Sequence, residues 1–557
     1  MTVALHDLLP AELRRTWAVD GTCPDLDLYS LYRARLITDP HHTAILDAKG
    51  KLCYTALDRK ARSLAAGLAG LGIRPGDVVG IQLPNGRDAV VVDLALAALG
   101  AVALPFPVGR GGREAASLLR RSEAVAVIAA AEHRGNHHAA DLLAVAGELP
   151  ALRTVIASGA APEGALALAK LLRTDPKTLV PARPDPDSAA RILVSSGSEA
   201  EPKMVAYSHN ALAGGRGNFL GSLIPDGRPP RCLFLVPLAS AFGSNGTAVT
   251  LARHGGTLVL LDAFTPEAAL EALVEHQPTH VLGVPTMIRM MLDRMTEGDR
   301  PEFTPPTALI VGGSPLDQAT AAEARKAFGC PVVNLYGSAD GVNCHTGLVD
   351  DSSDGEGRPG IAAGHPDPRV ADIRIALPGT QELQEVSRGT VGEILARGPM
   401  TPLCYVAAPD LDSRYRTADG WVRTGDLGLI DQDGTLRIVG RLKDVVIRGG
   451  ENISPAEVEL ELATHPGVRD VVCVGVRDPL MGERLAACVV PREGARITLE
   501  ELCAHLDTRG LERRKHPERL LVLGELPLTP AGKPDRAALR EQCTAQAEEQ
   551  RPLTPAG

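Results

Sequence analysis

Between Arg191 and Asn210 the chain reads RILVSSGSEAEPKMVAYSHN. An apolar, strand-like run breaks into Ser195-Ser196-Gly197-Ser198, and Lys203 follows five residues later. Successive backbone N–H groups around a glycine form a concave anion nest, which Ser hydroxyls and a Lys ammonium supplement, so these residue types suit phosphate, with ATP the natural ligand. The pattern is not a Walker loop, because Pro202-Lys203 stands where Gly-Lys-Ser/Thr would be required. Taken alone, the segment also reads as a Ser-rich surface turn with a solvated lysine.

Further segments follow in a fixed order: Asn334-Leu335-Tyr336-Gly337-Ser338-Ala339-Asp340, Gly420-Trp421-Val422-Arg423-Thr424-Gly425-Asp426, and Gly440-Arg441-Leu442-Lys443-Asp444 running into Gly449-Gly450-Glu451-Asn452. A last one, Pro527-Leu528-Thr529-Pro530-Ala531-Gly532-Lys533-Pro534-Asp535-Arg536, lies close to the C-terminus. With the serine loop, these motifs resemble the adenylate-forming superfamily of acyl-CoA synthetases, peptide-synthetase adenylation domains and luciferases, over nearly the whole chain.

That resemblance implies ATP and Mg²⁺ as cofactors, with AMP and pyrophosphate formed. It places Ser196, Gly197, Ser198 and Lys203 around the β- and γ-phosphates, Gly313 and Tyr336-Gly337 against adenine, and Asp426, backed by Arg441, on the ribose hydroxyls. Asp340 takes the Mg²⁺ position. Ser240, Phe242, Gly243 and Ala339 line the acid pocket. Lys443 is the hinge about which a C-terminal lid rotates, delivering Lys533 for adenylation and then Gly449 and Gly450 for CoA or another second substrate. The chemistry suits the residues: attack of an oxyanion on the α-phosphate must be aligned and its negative charge offset, and a mobile ammonium can do the latter.

Departures from the family pattern cluster where phosphate or acid would lie. Glu199-Ala200 replaces Thr-Gly, Met204 replaces a glycine, Ala339-Asp340 replaces Thr-Glu, and Ser240 stands at a His or aromatic position. Carboxylates at Glu199 and Glu201 are repulsive beside an anion unless they face solvent, pair with cations or assist the metal. Three readings stay open. One is an acyl-CoA synthetase for an aromatic or small acid, supported by the GGEN segment and the lysine loop. The second is an ATP-dependent diazotase, in which nitrite is the activated oxyanion and an aryl amine of aminobenzoate type the second substrate; the remodelled Ser240, Ala339 and Asp340 point that way, and the serine loop resembles that branch. The third is a non-catalytic nucleotide-binding regulatory protein, against which Asp426, Arg441 and Lys533 argue.

These residues must be positioned by a large α/β framework. Apolar residues recur with helical period at Leu57, Ala61, Leu64, Ala65, Leu68 and Leu71, and Arg74-Pro75-Gly76-Asp77 turns into the strand-like VVGIQL. The alternation recurs at 258–276, 280–292 and 308–328, predicting largely parallel, packed sheets with helices. The run Ala89 to Val108 approaches membrane-spanning length, but Asp93, Gly100, Pro105 and Pro107 break it, so a buried helix passing into a strand is expected. At 557 residues more than one domain is expected: an N-terminal domain over 1–440, a small α+β lid over 441–544, and a Gln/Glu/Pro-rich disordered tail over 545–557.

A formal charge of -10 and the lack of a basic tract argue against a nucleic-acid partner. Ten cysteines without a C-x-x-C pair argue against a zinc ribbon or redox dithiol and suit reduced, cytoplasmic thiols. No basic segment precedes a long apolar run at the start, so neither signal peptide nor membrane partner is expected. A homodimer would leave no signature here.

Overall fold

The structure is a computed structural model that describes residues 5–195, 202–297, 301–349, 360–380, 383–448, 451–478, 480–529 and 533–549. Its first eight-stranded sheet runs, edge to edge, Asn343–His345, Val332–Gly337, Ala308–Gly312, His280–Gly283, Arg231–Phe234, Thr257–Leu260, Thr43–Asp47 and Gly50–Cys53. The six inner strands are parallel, with an antiparallel strand at each edge. The βα alternation read from the sequence produces this sheet: Thr265 caps the helix Pro266–His276, and Asp317 caps Gln318–Phe328, each through its side-chain oxygen.

A second eight-stranded sheet is built around Val102–Pro105, Val78–Gln82, Ala126–Ala130 and Thr154–Ser158, all parallel. The helices Tyr54–Gly70 and Arg87–Leu99 lie between the two sheets, so one hydrophobic core contains Leu57, Leu64, Val91 and Leu96 together with Ile45 and Leu258 of one sheet and Val79 and Ile128 of the other. Alternate strand residues such as Val78 and Val127 face the outer helices instead. Each fully buried leucine contributes about 1.5–3 kcal/mol. The near-membrane-length run is the second of these helices followed by a strand; Gly100, at φ 74°, makes the break because the left-handed conformation costs glycine little. No helix among the described residues is long and apolar enough to cross a membrane.

A third sheet, Ile361–Gly364, Leu436–Arg441, Val422–Ile430, Gly392–Arg397 and Asp372–Ala376, is wholly antiparallel. The βα pattern does not announce it, since its strands pair antiparallel; Val422–Ile430 and Leu436–Arg441 are joined by a tight turn at Gly434, at φ 93°. The chain leaves this sheet at Arg441 and enters a fourth at Val446. There the long pair Val468–Asp478 and Gly482–Pro491 alternates between two cores: Cys473, Leu485 and Val489 face Val458 and Leu502, while Val472, Val474 and Cys488 face Leu539 and Cys543.

The helix carrying Leu539 and Cys543, Arg536–Glu549, runs past residue 545, where composition places the start of a disordered tail. Ala, Gln and Glu are good helix formers, and the buried i, i+4 pair anchors them. Residues 550–557 lie outside the described ones.

Candidate active site

Asp426 and Arg441 sit opposite each other on neighbouring strands of the third sheet. Gly425, at φ 71°, turns the chain immediately before the aspartate. Asp426 is 5% exposed; its Oδ1 accepts from Arg441 Nε at 3.1 Å and its Oδ2 from the Tyr336 hydroxyl at 2.8 Å. A carboxylate offers about four acceptor positions, so two remain for a diol. Burial pushes the Asp426 carboxyl above its ordinary range, while Arg441 and the Tyr336 hydroxyl pull it back. Tyr336 comes from the end of Val332–Gly337 in the first sheet, so two sheets meet at this carboxylate.

Lys533 reaches the same place from the fourth sheet's domain. Its Cε and Nζ lie 3.5 and 3.9 Å from the point where a side chain on Gly313 would begin, and Gly313 itself is left-handed, at φ 88°. A Cβ there would be strained and would meet the lysine. The Lys533 carbonyl accepts from Thr529 N–H at 2.7 Å, closing the lysine's loop. Burial lowers the ammonium's pKa to about 8, with Arg441 adding to the fall and Asp426 opposing it. Arg289 on the helix Pro285–Glu297 touches the lysine-bearing domain through Asp470, at 4.0 Å.

Lys203 and Asp340 form a second cluster, with Nζ 3.7 Å from Oδ1. The serine loop that precedes Lys203 joins two antiparallel strands, Ala189–Val194 and Met204–Ser208, and Ser195 N–H donates to the Lys203 carbonyl at 2.9 Å. Ser196, Gly197 and Ser198, like Glu199 and Glu201, lie outside the described residues, as do Gly449 and Gly450. Lys443 lies in the connection between the third and fourth sheets, its Nζ 5.9 Å from the Tyr415 ring centroid.

Ser240 does not present its hydroxyl as an open pocket group. It donates to the Pro237 carbonyl at 2.8 Å and accepts from Gly243 N–H at 2.9 Å, so the bonds are made inside its own loop. That loop is so tight that a Cβ on Gly243 would stand 1.9 Å from the Pro237 oxygen. Asn85 bonds Leu238 N–H at 2.7 Å, and Arg191, paired with Asp93 at 2.7 Å, donates to the Leu238 carbonyl at 2.9 Å, so the loop is braced by the strand that leads into the serine loop. Phe242 packs partly buried against the main core. We expect Gly243→Ala to cut acid-dependent pyrophosphate release by about tenfold or more while ATP binding stays near wild type, because the clash must shift this loop and not the Asp426 site; initial rates beside ATP titration check it.

Ala339 is buried, and its carbonyl accepts from the Tyr207 hydroxyl at 2.8 Å. Arg216 contacts that hydroxyl at 3.4 Å and donates to the Ala241 carbonyl at 3.0 Å, linking the two candidate pocket walls. Sequence reasoning missed Tyr207, Arg216, Tyr405 and Tyr415. One signal was available: the chain has only seven tyrosines, and Tyr207, Tyr336, Tyr405 and Tyr415 all converge here.

The family described as AMP-binding enzyme matches residues 33–406, and AMP-binding enzyme C-terminal domain matches 457–533. Triostin synthetase I of Streptomyces triostinicus is 35% identical over 500 residues, covering 89% of this chain and 90% of its own length. The 2-hydroxy-7-methoxy-5-methyl-1-naphthoate–CoA ligase of Streptomyces carzinostaticus is 33% identical over 520 residues, 90% of each protein. The amide bond synthetase McbA of Marinactinospora thermotolerans superposes with a TM-score of 0.80 at 27% identity, over 93% of this chain and 100% of that one. The chain therefore belongs to the AMP-binding enzyme family, the ATP-dependent, AMP-forming acid ligases of the adenylate-forming superfamily.

Proposed function

We propose that the protein activates an aromatic or small acid as its adenylate and then passes the acyl group to CoA. The observation that carries this is the placement of the Lys533 side chain against Gly313, within the electrostatic reach of Asp426 and Arg441, where an ammonium can offset charge at the α-phosphate while the nucleoside is held beside it. In this reading Asp426 accepts the ribose hydroxyls, Gly313, Tyr336 and Gly337 flank adenine, and Ser196, Gly197, Ser198 and Lys203 meet the phosphates. Acid-activating relatives such as the naphthoate ligase support an aromatic substrate and a CoA acceptor.

Asp340 suits Mg²⁺ arriving with ATP. It is a nearly buried single carboxylate, and Mg²⁺ commonly takes one or two carboxylates plus phosphate and water. No group of three or more His, Cys, Asp and Glu suited to a metal occurs among the described residues. Bound there, the ion would neutralise phosphate charge; Lys533 and Lys203 supply the remaining positive charge. Domain alternation about Lys443, near a boundary at 440/441, would withdraw Lys533 and present Gly449 and Gly450. Ten unpaired thiols suit a reducing, cytoplasmic setting.

The second reading, nitrite activation followed by diazotisation of an aryl amine in antibiotic biosynthesis, is favoured by one feature: Ala339 offers no side-chain hydroxyl to the acid pocket, and the Ser240 hydroxyl is tied up in its own loop. Pyrophosphate release from Mg-ATP separates the two. Release with a panel of aromatic acids and no nitrite supports the acid ligase, whereas release that requires nitrite, with an aminobenzoate and no CoA, supports the diazotase. ATP binding with no release from either would favour the non-catalytic alternative.

A further inference from the structure

Lys203 is held less by its carboxylate than by rings. Its Nζ stands 3.7 Å from Asp340 Oδ1, longer than the roughly 2.7–2.9 Å of a tight charge-assisted bond. That oxygen already accepts the Tyr405 hydroxyl at 2.7 Å. The ammonium lies 4.1 Å from the Tyr415 ring centroid and 5.3 Å from that of Tyr405. Both rings are buried; the Tyr405 hydroxyl is anchored on Asp340, and Asp412, on the helix Pro409–Tyr415 that ends in the second ring, accepts the Tyr405 backbone N–H at 3.0 Å and pairs with Arg416 at 3.2 Å.

We propose that Tyr415, assisted by Tyr405, is a positioning residue for ATP: its ring face holds the Lys203 ammonium at the phosphate site without locking it into an ion pair. This rests on the reading of Lys203 as a phosphate ligand. A ring face attracts an ammonium through its quadrupole yet is a weaker rival to phosphate than a tightly paired carboxylate. Lys203 is thereby kept close and partly desolvated, and it can turn to the nucleotide without first breaking a strong salt bridge. Without the ring, the ammonium would move onto Asp340 or out to solvent.

The test is equilibrium binding of α,β-methylene-ATP to the full chain, with Mg²⁺ and in EDTA, beside adenosine as a probe lacking phosphate. Tyr415→Leu is expected to weaken the ATP analogue about tenfold and Tyr415→Phe no more than about twofold, because phenylalanine keeps the ring face. Adenosine affinity should be unchanged in both. In the Lys203→Met background Tyr415→Leu should add almost nothing, the mark of two residues acting as one unit. Equal losses for Leu and Phe, a parallel loss of adenosine, or full additivity with Lys203→Met would overturn the proposal. Normal analogue binding by Lys203→Met alone would instead overturn the phosphate role of Lys203, and the proposal with it.

Discussion

Lys533→Ala should lower the rate of adenylate formation by about 10²- to 10³-fold while ATP affinity stays within about threefold, the signature expected of a group that acts mainly on transition-state charge. Among the described residues no hydrogen bond from Lys533 reaches Asp426, Arg441 or Tyr336: its backbone closes a loop with Thr529, and its side chain lies over Gly313. Truncation therefore removes a cation and leaves the Asp426, Arg441 and Tyr336 bonds in place. The pH dependence carries the same assignment. Lysine is cationic below its pKa, and burial lowers that of Lys533 to about 8. The kcat/KM for adenylation, which reports the free enzyme, should be full below about pH 7 and fall as pH rises through about 8, whereas an ordinary lysine would sustain it to about 10. Lys533→Arg should be slower but lack that alkaline limb. Pyrophosphate release from pH 6 to 10 reads the wild type and both variants; undiminished adenylation by Lys533→Ala would remove the lysine from the mechanism.

Asp426→Ala acts on binding instead. It deletes the acceptor that faces Arg441 and Tyr336 and would face the ribose, so KM for ATP should rise by about 30- to 100-fold, since bonds to a charged acceptor are the stronger kind. The same change takes from the buried Tyr336 hydroxyl its carboxylate acceptor, leaving the Thr424 side chain beside it, and a stability loss of about 1–2 kcal/mol is expected; the half-exposed Arg441 can turn to water, which keeps the figure low. Asp426→Asn, which retains one acceptor oxygen, should fall between wild type and alanine on both scales. ATP titrations and thermal melts of the three proteins decide it, and an unchanged KM in the alanine variant would detach Asp426 from the nucleotide.

The sequence carried most of the framework because its signals are local. The period of Leu57, Ala61, Leu64 and Leu68 is the buried face of a helix, and the break at Gly100 is a helix end that glycine accepts without strain. The third sheet escaped because its antiparallel strands lack the regular strand-helix alternation and the long apolar runs by which parallel sheets show themselves; a short helix, Pro409–Tyr415, interrupts them. The helix after Asp535 escaped because Gln- and Glu-rich composition reads alike in a tail and in an exposed helix, and only the burial of Leu539 and Cys543 separates them.

By itself, then, the sequence determined the class of chemistry: a serine loop, a TGD aspartate, a glycine-arginine segment and a late lysine in one order belong to ATP-dependent acid activation, and each motif is a short run of residues legible without its neighbours in space. What only the tertiary structure decided is which side chains share a charge environment. Lys533 meets Gly313 across more than two hundred residues of chain, Lys203 rests on Tyr415, and Ser240 spends its hydroxyl on its own loop. Such meetings depend on how four sheets pack against one another, and packing is set by the summed burial of cores that no single motif contains.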